Sequence, residues 1–195
     1  MSGREKLTDW IRVYDNAMPD QLCDELIKWS EDPSTNKGYH NEAWRRCQEV
    51  GGVDFTSHWE PVKNIFSDFY HRYRNEISSG ILSRANAIEA PNIFRYDVNP
   101  ERPNVFNSHA DNWESSTASR QVSIILYLND VAEGGATSFD DLNLAVSPKK
   151  GRLLFFPSFY TYMHQGKAPI SNAKHIMVSW VHYDAPSHSY RTHKF

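Results

Sequence analysis

Thiols are scarce in this chain. It holds two cysteines, Cys23 and Cys47, and neither belongs to a CxxC pair. That excludes a disulfide framework, a thiolate zinc site and a thioredoxin-type motif. Cys23 follows Leu22 within a helical pattern and reads as a small packed hydrophobe. Long apolar runs are missing as well. The longest, Val122 to Leu128, contains Ser123 and is far too short to cross a bilayer. The opening MSGREKLTDW is charged where a secretory leader needs an apolar stretch. Nor is there an excess of positive charge. A formal net charge of −3 and a pI near 6.3 argue against holding nucleic acid by bulk electrostatics. These absences predict a soluble, cytoplasmic protein with no membrane partner and no nucleic-acid partner, acting as a monomer.

The material for a core is there. With 195 residues, 39% of them hydrophobic, the chain fits one domain spanning residues 1–195. No internal repeat or low-complexity tract divides it. Leu22, Leu26 and Trp29 predict a helix over 19–29, started by Pro19 and Asp20. Val62, Phe66, Phe69, Tyr70, Tyr73 and Ile77 predict a second over 60–77. Between them, residues 30–52 read as a long loop or irregular hairpin, punctuated by Pro33, Gly38, Gly51 and Gly52. After residue 85 the period changes from 3.6 to 2. Strands are predicted at Asn92–Val98, Asn107–Asp111, Arg120–Leu128, Leu142–Val146, Arg152–Phe156 and Lys174–Tyr183. The fold class is therefore mainly β with N-terminal helices (α+β): helical support over about 18–77 packed on a double-sheet barrel over about 85–184, of the jelly-roll or cupin kind.

Nine histidines and 13% aromatics invite a search for a metal site. His-x-Asp occurs at His109-Ala110-Asp111 and at His182-Tyr183-Asp184, a frequency close to chance. Context separates them. Residues i and i+2 of a strand share a face, so an imidazole and a carboxylate can converge on one ion. For His109 and Asp111, a third donor is available in His164, with room for several strands between. For His182 and Asp184, only a short tail with His188 and His193 follows, too little to build a barrel around. Two His and one carboxylate make the facial set of non-haem Fe(II) oxygenases. The competing reading makes His109 and His164 unrelated surface histidines. In KHIMVSWVHY, the positions Lys174, Ile176, Val178, Trp180 and His182 share one face. Either that face meets solvent, or Lys174 reaches inward to a ligand carboxylate, since an unpaired buried lysine is costly.

At this point several segments resemble one family. RQVSIILYLNDVAEGGATSF, LAVSPKKGRLLFFPS and HQGKAPISNAK resemble the catalytic region of the prolyl 4-hydroxylases, which are Fe(II)/2-oxoglutarate dioxygenases. Lys174 follows His164 by ten residues, as in that family, and VYDNAMPDQLCDELI resembles its opening strand and helix. The resemblance implies a double-stranded β-helix in which His109, Asp111 and His164 hold Fe(II). It implies that 2-oxoglutarate chelates the metal while its far carboxylate meets Lys174, helped by Tyr96 and Thr137. Arg120, Trp180 and His182 match positions that face substrate. The implied reaction hydroxylates a prolyl residue of a peptide or protein with O2, converts 2-oxoglutarate to succinate and CO2, and draws on ascorbate as an auxiliary cofactor.

Three departures lie near the expected substrate mouth. DVNPERPNVFNS is longer than the family's usual turn, Phe106 stands where these enzymes commonly carry Tyr, and the stretch from Asp111 to His164 is shorter than in collagen-type enzymes. A compact bacterial or viral type fits them best. The alternatives keep the chemistry but change the substrate to a free amino acid, a lysyl side chain or another small molecule. A cupin-like metal-binding module without oxidation would keep the triad and need no Lys174. A nucleic-acid demethylase of the same superfamily fits poorly with the acidic pI and with Lys174 where that branch relies on Arg.

Overall fold

Both predicted helical stripes form helices in the computed structural model, which describes residues 6–77, 82, 84–183 and 192–194. After a short strand β1 (Arg12–Tyr14), helix α1 (Asp20–Glu31) buries Cys23, Leu26 and Ser30. A hairpin follows, β2 (Gly38–Asn41) and β3 (Arg46–Val50). Helix α2 (Trp59–Glu76) tolerates Pro61 in its first turn, where no helical N–H is needed, and buries Val62, Phe66, Tyr70 and Tyr73. The rest is β: β4 (Ala85–Glu89), β5 (Asn92–Tyr96), β6 (Phe106–His109), β7 (Arg120–Tyr127), β8 (Thr137–Phe139), β9 (Leu144–Val146), β10 (Arg152–Pro157), β11 (His164–Gly166), β12 (Lys174–Tyr183) and β13 (Thr192–Lys194).

These strands make two antiparallel sheets. The larger runs β1-β10-β7-β12-β5-β3-β2, with β4 on β12 and β13 on β4; the smaller runs β6-β11-β8-β9. Both faces of the larger sheet are covered, which explains why β7 and β10 are buried at nearly every position rather than at alternate ones. Ile124, Leu126, Leu153, Phe155 and Met177 pack toward the helices with Phe66, Tyr70 and Tyr73. Ile125, Tyr127, Leu154, Phe156, Ile176, Val178 and Trp180 point the other way, toward Phe139 and Val146 of the smaller sheet. Each such side chain contributes about 1.5–3 kcal/mol on full burial. The architecture is the expected jelly roll, its two sheets facing each other without closing into one continuous barrel.

Element boundaries depart from the sequence reading: the strand expected over Asn92–Val98 ends at Tyr96. Residues 38–50 are a regular hairpin, Gly38 opposite Glu49 and Asn41 opposite Arg46, and β3 extends the larger sheet through β5. The strand expected to start at Leu142 starts at Leu144, because Asn143 adopts a left-handed conformation with φ of 52° after a short 3-10 turn. The strand expected to reach Asp111 ends at His109, and Asp111 instead donates its amide to Ser158 O. No helix among the described residues is long and apolar enough to cross a membrane.

Candidate active site

His109 closes β6 and His164 opens β11, and the two lie opposite one another in the smaller sheet. Asp111 sits just beyond. Its Oδ1 is 3.5 Å from His109 Nε2 and its Oδ2 is 3.7 Å from His164 Nε2. One donor atom from each residue falls within 4.8 Å of the others, which is compact enough for a single ion. The imidazoles are held from behind. His109 Nδ1 donates to Asn107 O at 2.7 Å and His164 Nδ1 to Tyr162 O at 3.1 Å. A carbonyl can only accept, so both protons sit on Nδ1 and both Nε2 lone pairs face Asp111. Burial lowers His164 to a pKa of about 4, keeping it a neutral donor. Burial alone would raise Asp111, but the charge that His164 gains on protonation at acid pH, the closeness of His109 and the Ser123 hydroxyl outweigh it and hold the carboxyl below its usual range. Ser123 Oγ donates to Asp111 Oδ2 at 2.5 Å.

A cavity of about 670 Å3 opens from the triad, within the roughly 300–1,000 Å3 of small-molecule sites. Lys174, Tyr96 and Thr137 all line it. Lys174 is 1% exposed. Its Nζ donates to Gly135 O at 3.0 Å and lies 4.4 Å from the Tyr96 ring centroid. Burial pushes its pKa down to about 8, because no carboxylate among the described residues offsets the lost hydration. The lysine therefore points inward, which disposes of the solvent-face alternative. Thr137 accepts from Tyr127 Oη at 2.7 Å. Two nitrogen donors and a carboxylate facing an open cavity, with a buried lysine on its wall that meets no carboxylate among the described residues, suit a ferrous ion and a dicarboxylate.

The expected substrate residues divide. Arg120 and Trp180 line the cavity, with the Arg120 guanidinium 3.5 Å from the Trp180 ring centroid. The Trp180 indole N–H is buried without a partner among the described residues. Arg120 is committed elsewhere. It grips Glu89 with two donors at 3.0 and 2.7 Å, and Nη1 donates to Asp111 O at 3.3 Å. His182 is corrected: it shares the face of Trp180 but is fully buried behind the wall, its Nε2 2.8 Å from Glu89 Oε2 and its Nδ1 2.8 Å from Ser119 Oγ. Glu89, which the sequence reading missed, lines the cavity and lies within hydrogen-bond distance of both Arg120 and His182. An acid on a short strand carries no signal of that pairing. Of the second His-x-Asp set, Asp184 and His188 lie outside the described residues, and His193 meets Asp54 at 3.1 Å. Trp44, Trp113 and Tyr160 stand exposed around the mouth.

With that geometry in view, the likenesses to known proteins are informative. The family model described as the 2OG-Fe(II) oxygenase superfamily matches residues 92–182, the stretch that holds the triad and Lys174. The match covers a little under half of the chain, and the solved structures that resemble it share a prolyl-hydroxylase-like fold. A multifunctional procollagen lysine hydroxylase and glycosyltransferase of Caenorhabditis elegans is 26% identical over 200 residues; the match takes in 92% of this chain and 26% of that protein's length. A viral collagen prolyl hydroxylase from Paramecium bursaria Chlorella virus-1, solved with 2-oxoglutarate, superposes with a TM-score of 0.66 at 19% identity, covering 88% of this chain and 95% of its own. A Pseudomonas putida prolyl-4-hydroxylase gives 0.66 at 17% identity, with 90% and 93% covered. A Trichoplax adhaerens prolyl hydroxylase in complex with a peptide fragment of hypoxia inducible factor gives 0.67 at 16%, with 91% and 85% covered.

Proposed function

We propose that this chain is a 2-oxoglutarate- and Fe(II)-dependent oxygenase that hydroxylates a prolyl residue within a peptide or protein. His109, Asp111 and His164 would hold Fe(II), and Lys174, with Tyr96 and Thr137 beside it, would anchor the far carboxylate of 2-oxoglutarate. The bound iron and cosubstrate supply the oxidising chemistry. The chain's own residues orient them and keep water out, since the triad lies in a buried pocket roofed by Phe106 and walled by Phe156. The observation that carries the substrate reading is the mouth. One cavity joins the triad and Lys174 to the exposed aromatics Trp44, Trp113 and Tyr160. A proline-rich segment is already extended, loses little entropy on docking, and suits aromatic walls. Trp180 adds its ring to the wall of the same cavity, stacked under the Arg120 guanidinium.

The likeness to a procollagen lysine hydroxylase favours one other reading, a lysyl side chain. Against it, Glu89 is already neutralised by Arg120, leaving that carboxylate no charge to spare for a substrate ammonium. Incubation with Fe(II), 2-oxoglutarate and three substrates (a proline-rich peptide, a lysine-rich peptide and free proline) separates the readings by mass spectrometry. A +16 Da product from the proline-rich peptide is expected. Equal conversion of free proline, or conversion of the lysine-rich peptide alone, would replace the substrate reading.

A further inference from the structure

Arg45 sits at the turn of the β2–β3 hairpin, yet its guanidinium is folded inward. Its central carbon lies 4.8 Å from the ring centroids of both Phe94 and Phe106. Phe94 belongs to the larger sheet and Phe106 to the smaller, so one cation is clasped between rings of the two sheets. Phe106 in turn lies flat on His109, with ring centroids 3.6 Å apart and planes 13° apart. The main chain locks this stack in place: Arg46 donates its amide to Val105 O at 2.9 Å, and Asn107 donates to Trp44 O at 2.8 Å. Glu49 Oε2, 3.5 Å from Arg45 Nη2, holds the outer end.

The hydrogen bond from His109 Nδ1 to Asn107 O fixes the tautomer, but a single bond leaves the ring free to pivot about it. A flat aromatic face against the imidazole removes that freedom. We propose that Arg45 and Phe106 form a positioning strut that sets the plane of His109, so that a hairpin contributing no metal donor controls metal affinity. The strut rests on the reading of His109 as a metal ligand. It also gives a physical use to phenylalanine at position 106: stacking needs the ring and no hydroxyl.

The test titrates Co(II), an air-stable stand-in for Fe(II), into metal-free full-length protein by calorimetry and records the visible spectrum of the bound ion. Phe106→Leu keeps an apolar side chain but loses the flat face, and should weaken Co(II) roughly 10- to 100-fold, as loss of an outer partner of a metal ligand does. Arg45→Met acts one step further out and should weaken it roughly 2- to 30-fold, the range of a partly desolvated cation–ring contact. Both should alter the Co(II) spectrum at unchanged Tm, and Phe106→Tyr, which keeps the ring, should behave as wild type. Wild-type affinity and spectrum in both Phe106→Leu and Arg45→Met, with binding lost in Asp111→Ala, would overturn the strut alone. Undiminished binding in Asp111→Ala would remove the metal reading itself, and the strut with it.

Discussion

Lys174 is the residue whose environment makes the sharpest demands. An ammonium that is 1% exposed with one carbonyl acceptor is destabilising until an anion arrives. Lys174→Met should therefore raise the Tm of the cosubstrate-free protein while raising the 2-oxoglutarate requirement roughly 10- to 150-fold, the worth of about 1.5–3 kcal/mol of charge-assisted bonding. Metal affinity without cosubstrate should stay put. The pH dependence follows from the same burial, which lowers the folded pKa from 10.5 to about 8. Between those values the unfolded chain binds the proton and the folded chain does not, so stability of the free protein rises with pH across that window and falls as pH drops through 8. Cosubstrate affinity has the opposite slope: only the cation pairs with a carboxylate, so it should decline about tenfold per pH unit above about 8. Calorimetric titration of 2-oxoglutarate at several pH values checks both signs. Much of this was legible beforehand. Spacing alone put Lys174 and Trp180 on one face; His109 and Asp111 do meet, but Asp111 reaches the site beyond the end of the strand, held through Ser158 rather than by the i, i+2 geometry of a strand. Glu89 was not legible, because His182 and Arg120 meet it only through the pairing of β4 with β12 and of β12 with β7, contacts between distant parts of the chain that no local pattern encodes.

Elements long enough to express a period were the readable ones. Helices α1 and α2 and strands β7, β10 and β12 begin within a residue or two of their expected starts, since each repeats its pattern several times. Strands β8 and β11 span three residues each, too few to show alternation, and yet they carry Thr137 and His164. Turn chemistry is the better guide there. Gly134 and Gly135 have φ of 77° and 72°, a region that costs other residues roughly 1–2 kcal/mol. A methyl at Gly134 would collide with Ala168 O, whereas one at Gly135 would press on Pro148 Cγ at 3.2 Å and on the Lys174 stem at 3.3 Å. Gly134→Ala should thus lower Tm more than Gly135→Ala does. Gly135→Ala should instead raise the 2-oxoglutarate requirement, by pushing Lys174 away from its acceptor. Thermal melts and cosubstrate titration of the two variants, side by side, distinguish a turn that merely folds from one that also aims the lysine.

At the scale of the whole molecule, the two faces of the larger sheet divide the labour. The helix-covered face carries stability: Phe66 is fully buried against it, and Phe66→Ala should cost about 3–5 kcal/mol in denaturant unfolding while leaving kcat of the remaining folded enzyme unchanged. The other face carries the proposed chemistry, with His109 and His164 from the smaller sheet and Lys174 from the larger meeting across one cavity. The central claim is that this cavity couples 2-oxoglutarate oxidation to hydroxylation of a peptide lying across an aromatic mouth. The most direct measurement is the ratio of succinate formed to hydroxylated prolyl residues, in wild type and in Trp180→Ala, with a proline-rich peptide present. Wild type should make succinate and hydroxyproline in equal amounts, and Trp180→Ala should lose most of the hydroxyproline while still releasing succinate. A ratio identical in the two proteins, or succinate release indifferent to every peptide offered, would contradict the account.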